Sequence, residues 1–285
     1  MSLDHFDESI FVPISTRSRV KFSEQVKRGR STMLTGKVII LGCARDLGQV
    51  LTNTIARIEQ LGLMFQDYEV VIYENDSVDL TKYALKGWEA SNPKVKVISE
   101  EISDPINPPT RCLKRMERMA KYRNRLREEA LKSDADYVIV LDMDLPGGWS
   151  YDGIASTFAR KDWDCVGSNG IILKHGKALQ YDAWAFREIG NEKPLTGHYV
   201  NAKFWERGDD WLPIYSVFGG LAVYRMPTMR FCYDGSDCEH VAFHRRMRNN
   251  GMGRIYLNPA QLVLYSSQDE MRLWSATRYL QTKSS

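Results

Sequence analysis

The sequence lacks the features that mark secreted, membrane-spanning and nucleic-acid-binding proteins. Its five cysteines include no Cys-x-x-Cys pair, so they predict neither a disulfide framework nor a zinc ribbon and favour reduced thiols in a cytoplasmic protein. No apolar run approaches the roughly 20 residues of a membrane span, and the N-terminus lacks the basic-then-apolar order of a signal peptide. The net charge of +3 is too small to indicate general nucleic-acid binding.

The composition is that of a folded globular domain. Hydrophobic residues make up 43% of the 285 residues and charged residues 26%, which excludes a disordered, collagenous or coiled-coil chain. Residues 1–35 show no steady hydrophobic period and predict an irregular leader arm. The remainder, residues 36–285, predicts a single large α/β domain without internal repeats.

Short apolar runs alternate with helical patterns in the first half of the domain. The runs at residues 38–41, 70–73 and 95–98 predict buried strands, and residues 47–61 and 80–90 predict helices between them. This βαβαβ order predicts a mainly parallel sheet with right-handed crossovers. Because ligands of such sheets bind beyond the carboxyl ends of the strands, the polar residues that follow each run are candidate site residues.

A long basic helix is predicted over residues 111–132. It holds nine lysines and arginines and three glutamates, which gives it twice the net charge of the whole chain. Most such runs are solvated helix faces. Arg123, however, lies on the apolar stripe of this helix, where an arginine requires an anionic partner. Arg115 and Arg123 are therefore candidates either for binding a diphosphate or for a structural ion pair with a strand-end carboxylate.

Two carboxylates follow the next apolar run, residues 137–141. Asp142 and Asp144 are one residue apart at the end of this predicted strand, where they could bind a hard divalent cation that keeps waters and takes phosphate oxygens as further ligands. An ordinary acidic turn is the simplest alternative. A haloacid-dehalogenase-like phosphatase or a nucleotidyltransferase would use the same pair of carboxylates.

The second half is less regular and rich in Trp, Tyr and Gly. Short strands are predicted near residues 222–224, 255–257 and 262–265, and a helix over residues 237–249. The paired glycines Gly219 and Gly220 allow the backbone to approach a ligand closely, although a tight turn would need them equally.

Several motifs occur together in an order that resembles a known family. They are Cys43-Ala44-Arg45, Glu74-Asn75-Asp76-Ser77, Tyr122-Arg123-Asn124, Asp142-x-Asp144, Tyr181-Asp182-Ala183-Trp184, Phe218-Gly219-Gly220 and Cys238-Glu239-His240. In this order they resemble a GT-A-fold glycosyltransferase, most closely the fungal capsule-associated α-1,3-mannosyltransferases. The resemblance covers residues 37–265.

The resemblance implies a fold and a division of the domain. A GT-A fold has a Rossmann-like, mainly parallel central sheet flanked by helices, with an irregular acceptor-side C-terminal half. Residues 36–148 would then form the half that binds the nucleotide sugar, and residues 149–265 the half that binds sugar and acceptor. Residues 266–285 would be a C-terminal tail.

The resemblance also implies roles for individual residues. In such enzymes the nucleotide sugar is bound by the strand ends, the basic helix, the first carboxylate of the Asp-x-Asp motif and the glycine loop. The corresponding residues here are Cys43, Ala44, Arg45, Glu74, Asp76, Arg115, Arg123, Asp142, Gly219 and Gly220. Asp144, together with Asp142, is expected to bind the metal ion. Many relatives add a histidine after a late strand, where this chain has Ser266. His240 and His244, four residues apart on one helix face, are the candidate substitutes, although such pairs are often structural, and His240 is the one we expect.

Two carboxylates are the candidate catalytic residues. Glu239 matches the acidic residue that faces the acceptor in GT-A enzymes, where it would take the proton of the acceptor hydroxyl in an inverting reaction. The fungal mannosyltransferases are retaining and need no such base. Helix capping is the alternative role for this segment. Asp182, beside Tyr181 and Trp184, would orient sugar hydroxyls next to an aromatic platform.

The expected function is the transfer of a hexose, with mannose as the first choice, from a GDP- or UDP-sugar to a hydroxyl of a glycan, glycolipid or glycoprotein. Mn²⁺ or Mg²⁺ would assist through the Asp-x-Asp motif. The basic leader could hold a cytoplasmic enzyme against a membrane surface. A non-catalytic carbohydrate-binding module, built from the Trp- and Tyr-rich second half, is a further alternative.

Overall fold

The computed structural model describes residues 8–11, 16–108, 110–203, 205–270 and 272–273. Its strands are β1 Lys37–Ala44, β2 Asp67–Asn75, β3 Val95–Glu100, β4 Tyr137–Asp142, β5 Gly148–Trp149, β6 Cys165–Lys174, β7 Lys177–Gln180, β8 Leu212–Pro213, β9 Leu221–Arg225 and β10 Ile255–Leu264. Its α-helices are α1 Thr16–Met33, α2 Val50–Gly62, α3 Thr81–Ser91, α4 Leu113–Ala130, α5 Tyr151–Thr157, α6 Gly197–Asn201 and α7 Glu239–Asn249. Short 3-10 helices span Glu8–Ile10 and Met226–Arg230.

All the strands join one sheet in the order β3-β2-β1-β4-β9-β6-β10-β5, with β7 added to β6 and β8 to β10. Strands β1 to β4 are parallel to one another. Strand β9 runs antiparallel between β4 and β6, and β6 and β10 are again parallel. The predicted mainly parallel sheet is confirmed, and so are the strands and helices predicted between residues 38 and 141.

Helices cover both faces of the sheet, which explains the uninterrupted apolar runs of its central strands. Ile40 of β1 packs in a core cluster with residues of α1, α2, α3 and α5. Its neighbour Leu41 points to the opposite face and packs in a second cluster with residues of α4 and α7. Each strand therefore places consecutive apolar side chains in two separate cores, and the parallel strands all end at one edge.

The predicted irregular leader is wrong for residues 16–33, which form helix α1. Phe22, Val26 and Met33 are buried against the domain. Gly29 lies on the same side of the helix, where an added Cβ would come within 1.7 Å of the Ala155 carbonyl oxygen. The buried side of α1 thus has helical spacing but contributes only three apolar side chains to a basic sequence. For this reason the sequence shows no clear hydrophobic period there. Residues 1–7 and 12–15 of the leader lie outside the described residues.

The two late strands predicted at residues 255–257 and 262–265 are one strand, β10, with an irregularity between Asn258 and Leu262. Two polar side chains interrupt the apolar run yet are buried. Asn258 donates to the Thr157 hydroxyl at 2.9 Å, and that hydroxyl donates to Gln261 at 2.7 Å. Because α5 supplies these hydrogen bonds, the polar segment stays inside the sheet.

Two helical glycines give opposite predictions for substitution by alanine. Gly29→Ala is expected to destabilise the protein by about 1–3 kcal/mol, because the new methyl group forces α1 away from Ala155. Gly87→Ala is expected to stabilise it by about 0.5–1 kcal/mol, since an added Cβ at Gly87 of α3 meets no atom within 4 Å. Urea unfolding of both variants measures the difference. Equal effects at the two positions would contradict the close α1–α5 contact.

Candidate active site

A cleft of about 560 Å³ opens where β4 ends, between α4, α7 and the segment around Trp184. Six of the residues predicted from sequence line it: Arg115, Arg123, Asp142, Asp182, Glu239 and His240. They come from distant parts of the chain, and the sheet brings them together because β4 and the glycine loop before β9 meet at this edge. The cleft is therefore the candidate active site.

Asp142 is the last residue of β4 and is held from two sides. Its Oδ2 accepts a hydrogen bond from the Tyr265 hydroxyl at 2.6 Å, and its Oδ1 accepts one from Arg123 Nη2 at 3.3 Å. Its backbone N–H donates to the Gly220 carbonyl at 2.9 Å. Burial raises the pKa of the Asp142 carboxyl to about 7, although the Arg123 charge opposes this shift. Asp142 is therefore poised to gain or lose its proton near neutral pH.

Arg123 joins helix α4 to the first residue of helix α7. Its side chain is only 4% exposed, and its Nε donates to Glu239 Oε1 at 3.0 Å. With Asp142, this gives the buried guanidinium two carboxylate partners. The anionic partner expected for Arg123 is thus confirmed as a strand-end carboxylate together with Glu239. Arg115 instead donates to the Pro108 carbonyl and lies over the Trp184 ring.

Asp182 holds the glycine loop in place. Its Oδ2 accepts the Gly219 N–H at 2.8 Å, and its Oδ1 accepts the Ala185 N–H at 3.1 Å. Gly219 and Gly220 have φ values of 68° and 85°, and a Cβ on Gly220 would lie 2.6 Å from the Tyr265 hydroxyl oxygen. The glycines are therefore required by a left-handed backbone and by close packing. Burial raises the pKa of Asp182.

His240 is buried in the wall of the cleft. Its ring stacks on Phe218 with 3.8 Å between the ring centroids, and its Nε2 lies 3.7 Å from Glu239 Oε1. Burial, reinforced by the nearby Arg123 charge, lowers the pKa of His240 well below its ordinary value. The imidazole is therefore neutral at physiological pH.

The predicted metal site at Asp142, Asp144 and His240 stays a prediction. In the described ranges no group of three His, Cys, Asp or Glu side chains could hold a metal ion, so His240 does not complete a site with Asp142 and Asp144. Asp144 is exposed, and no side chain among the described residues donates to its carboxylate. A Mg²⁺-like cation commonly uses one or two carboxylates with waters and phosphates, and this pair fits that chemistry.

The other predicted nucleotide-binding residues lie apart from the main cleft. Arg45, Glu74 and Asp76 line a separate cleft of about 360 Å³. Asp76 accepts the backbone N–H groups of residues 102–104, and buried Glu74 accepts the Ser77 N–H at 3.0 Å. These carboxylates brace loops. Arg45 donates to the Asp104 carbonyl at 2.9 Å.

Cys43 and Ala44 lie at the end of β1. Cys43 pairs with Asp142 in the register of β1 and β4, and burial raises the pKa of its thiol to about 12. Ala44 is buried. The structure therefore places Cys43 next to Asp142, at the edge of the sheet where the main cleft opens.

Tyr265 is the main site residue that sequence reasoning missed. It directly follows β10, stacks on Tyr181 and donates to Asp142. Its position just after an apolar strand was the available signal, because ligands gather at strand ends. Lys174 and Asn201 also line the cleft, and no sequence pattern distinguishes them from other exposed polar residues.

No protein-family model and no curated protein matches the chain. Solved structures do. GalNAc-T7 with UDP, GalNAc and Mn²⁺ matches at a TM-score of 0.51 and 15% identity, over 81% of this chain and 44% of that chain. Staphylococcus aureus TarS matches at a TM-score of 0.50 and 14% identity, over 84% of this chain and 39% of TarS. The Pyrobaculum calidifontis mannosyltransferase PcManGT with GDP-Man and Mn²⁺ matches at a TM-score of 0.49 and 13% identity, over 87% of this chain and 64% of that chain.

The chain therefore has the GT-A glycosyltransferase fold, as predicted. It spans 64% of the length of the mannosyltransferase and less than half of GalNAc-T7 and of TarS. The narrower resemblance to the fungal capsule-associated family stays a prediction. None of the helices among the described residues is long and apolar enough to cross a membrane.

Asp142 should make the stability of the protein depend on pH. The pKa of its carboxyl is about 7 in the folded chain and 3.8 ordinarily, so the folded state holds this proton where the unfolded state has released it. The free energy of unfolding should therefore fall as pH rises between these values, by at most about 1.4 kcal/mol per pH unit. Chemical denaturation from pH 4 to pH 8 should show a shallower fall for Asp142→Asn. Parallel curves for the two proteins would contradict the raised pKa.

Proposed function

We propose that this protein is a glycosyltransferase that moves a hexose from a nucleoside-diphosphate sugar to a glycan hydroxyl. The observation that carries the proposal is the position of the Asp142-x-Asp144 pair. In a GT-A fold, it follows β4 beside a cleft in which Arg123 connects Asp142 to Glu239. Mannose as the transferred sugar rests on the sequence resemblance alone.

Asp144, with Asp142, is proposed to hold Mn²⁺ or Mg²⁺. The exposed carboxylate of Asp144 has room for a cation and for phosphate oxygens, and GalNAc-T7, which shares the fold, is described with Mn²⁺ and UDP. When bound, the cation would neutralise the charge on the departing diphosphate. Arg115 lines the main cleft together with Asp142 and would add a second positive charge near the diphosphate.

The strand-end residues are proposed to bind the nucleotide through backbone and arginine groups. The carboxylates of Glu74 and Asp76 accept hydrogen bonds from Ser77, from β3 and from the loop that follows β3, so they would shape the pocket for the base and ribose. Arg45 and the backbone at Cys43 and Ala44 remain the proposed contacts. The Gly219 and Gly220 backbone is proposed to border the sugar side.

Glu239 is proposed to act on the acceptor hydroxyl, and Asp182 to position the surrounding loop. Glu239 is the first residue of α7 and lines the cleft, and Arg123 fixes its Oε1. Among the described residues, the one hydrogen-bond donor to its Oε2 is the weak Cys238 thiol, at 3.6 Å. That oxygen is thus the one suited to receive the hydroxyl proton. Both Asp182 oxygens accept backbone N–H groups, which suits a positioning role.

The acceptor is proposed to be a glycan, glycolipid or glycoprotein met at a membrane surface. Helix α1 carries six lysines and arginines and one glutamate. Lys27 and Arg28 are exposed on it, on the side away from the buried Phe22 and Val26. Such a basic surface is attracted to anionic lipids.

Asp144→Ala should abolish metal-dependent nucleotide binding while leaving the fold intact, because the carboxylate is exposed and braces nothing among the described residues. A thermal-shift screen of UDP, GDP, CDP and their sugars, each with Mn²⁺ and with EDTA, measures this binding. Asp134→Ala is the matched control, since its carboxylate is 75% exposed and its one salt-bridge partner in the described part of the chain is Lys37.

The same screen separates the alternative functions. Release of phosphate from a nucleotide or phosphomonoester without an acceptor would favour a phosphatase or nucleotidyltransferase. Glycan binding that is indifferent to EDTA and to nucleotides would favour a carbohydrate-binding module. A shift that Asp144→Ala leaves unchanged would exclude the proposed metal role.

Glu239→Gln should lower kcat by about 10²–10⁴-fold if this carboxylate takes the acceptor proton. The KM for the nucleotide sugar should change little, because the amide oxygen can still accept a hydrogen bond from Arg123. Steady-state kinetics with saturating acceptor measures both constants. An unchanged kcat would restrict Glu239 to its ion pair with Arg123.

A further inference from the structure

Three buried nitrogen atoms in the wall of the cleft have no hydrogen-bond partner among the described residues. They are Nη1 of Arg123 and both ring nitrogens of His240. Arg123 is 4% exposed and His240 is 2% exposed, and both side chains line the cleft. Buried polar nitrogens are nearly always hydrogen-bonded, so a group that enters the cleft is expected to satisfy them.

The nitrogens belong to one small cluster. Arg123 and His240 both approach Glu239 Oε1, at 3.0 Å and 3.7 Å. Both also lie against the Phe218 ring, with the guanidinium carbon 5.0 Å and the imidazole centroid 3.8 Å from its centre. A single bound group of a few atoms could therefore meet both side chains.

The chemistry of this cluster selects an uncharged, hydroxyl-rich ligand. Arg123 Nη1 is a donor, and a neutral imidazole offers one N–H donor and one lone-pair acceptor. A hydroxyl can both accept from the guanidinium and donate to the imidazole, whereas a carboxylate or phosphate cannot donate. Glu239 Oε1, which both side chains approach, already places a carboxylate beside this cluster, so a second anion is disfavoured there.

We propose that His240 and Nη1 of Arg123 form a subsite that binds hydroxyl groups of an uncharged sugar ring. The proposal rests on the proposed function, because it assigns the substrate class of the same cleft. It also gives His240 a role other than metal binding. The ring is either the hexose of the donor or the terminal residue of the acceptor, which share this chemistry.

Substitutions at His240 test the subsite directly. His240→Phe keeps an aromatic ring against Phe218 and removes both nitrogens, whereas His240→Gln keeps a donor and an acceptor. His198→Phe is the control, because His198 is exposed and lies outside the cleft lining. Far-ultraviolet circular dichroism and melting temperature confirm that each variant is folded.

Two binding measurements distinguish the two sources of the ring. Calorimetry with Mn²⁺ compares GDP and UDP with GDP-mannose and UDP-glucose. Saturation-transfer NMR, without nucleotide or metal, measures methyl α-mannoside, methyl α-glucoside and methyl β-glucuronide. Loss of the extra affinity that the donor hexose provides places the ring in the donor, and loss of methyl glycoside binding places it in the acceptor.

We expect His240→Phe to weaken one of these interactions at least tenfold, His240→Gln to restore part of the loss, and GDP and UDP binding to stay unchanged. The glucuronide should bind more weakly than the neutral glycosides. In the wild-type protein, the imidazole ¹⁵N resonances of His240 should shift on addition of the sugar, which requires no variant.

The proposal is overturned if neither sugar interaction weakens in His240→Phe, if the His240 resonances do not move, or if the glucuronide binds as well as the neutral glycosides. Failure of the proposed function has a different signature. In that case wild-type protein would bind no nucleotide with Mn²⁺, while the methyl glycoside experiment would still report on the subsite.

Discussion

The site depends on one buried positive charge. Arg123 is fully enclosed and is compensated by Asp142 and Glu239, because an unpaired buried guanidinium would cost several kcal/mol. This requirement ties α4, the end of β4 and the start of α7 into one unit. The carboxylate at the end of β4 and the one at the start of α7 are thus held by the same group. Removal of one carboxylate would leave the guanidinium paired with the other alone and would release one of the three elements from this unit.

Much of the fold could be predicted because its central strands are buried on both faces. Residues 38–41 and 137–141 are continuous apolar runs, since α-helices cover both sides of β1 and β4. The position of Arg123 on the apolar stripe of α4 likewise predicted that this arginine has an anionic partner. The Asp-x-Asp motif and the Glu239 segment were found from motif order. These features are local in sequence, so patterns along the chain are sufficient to find them.

The rest of the site depends on long-range hydrogen bonds that leave no periodic signal. Tyr265 meets Asp142 across 123 positions, and Asp182 meets Gly219 across 37. The carboxylates of Glu74 and Asp76 were suspected from their strand end, but which groups they accept from is decided by loop conformation. For the same reason, the polar segment inside β10 led to the prediction of two strands instead of one. The few apolar residues of α1 led to the prediction of an irregular leader. Tertiary contacts, and not local propensity, stabilise both.

The position of β9 has a consequence for how the chain is made. Strand β4 finds its second neighbour only when residues 221–225 arrive, long after β1 to β4 have left the ribosome. Until then the nascent chain carries an open sheet edge ending in the Asp-x-Asp carboxylates. Exposed edges of this kind can pair with other chains, so synthesis interrupted before residue 221 should yield aggregating fragments. The strand that ends at the candidate active site is therefore also the strand most exposed to mispairing during synthesis.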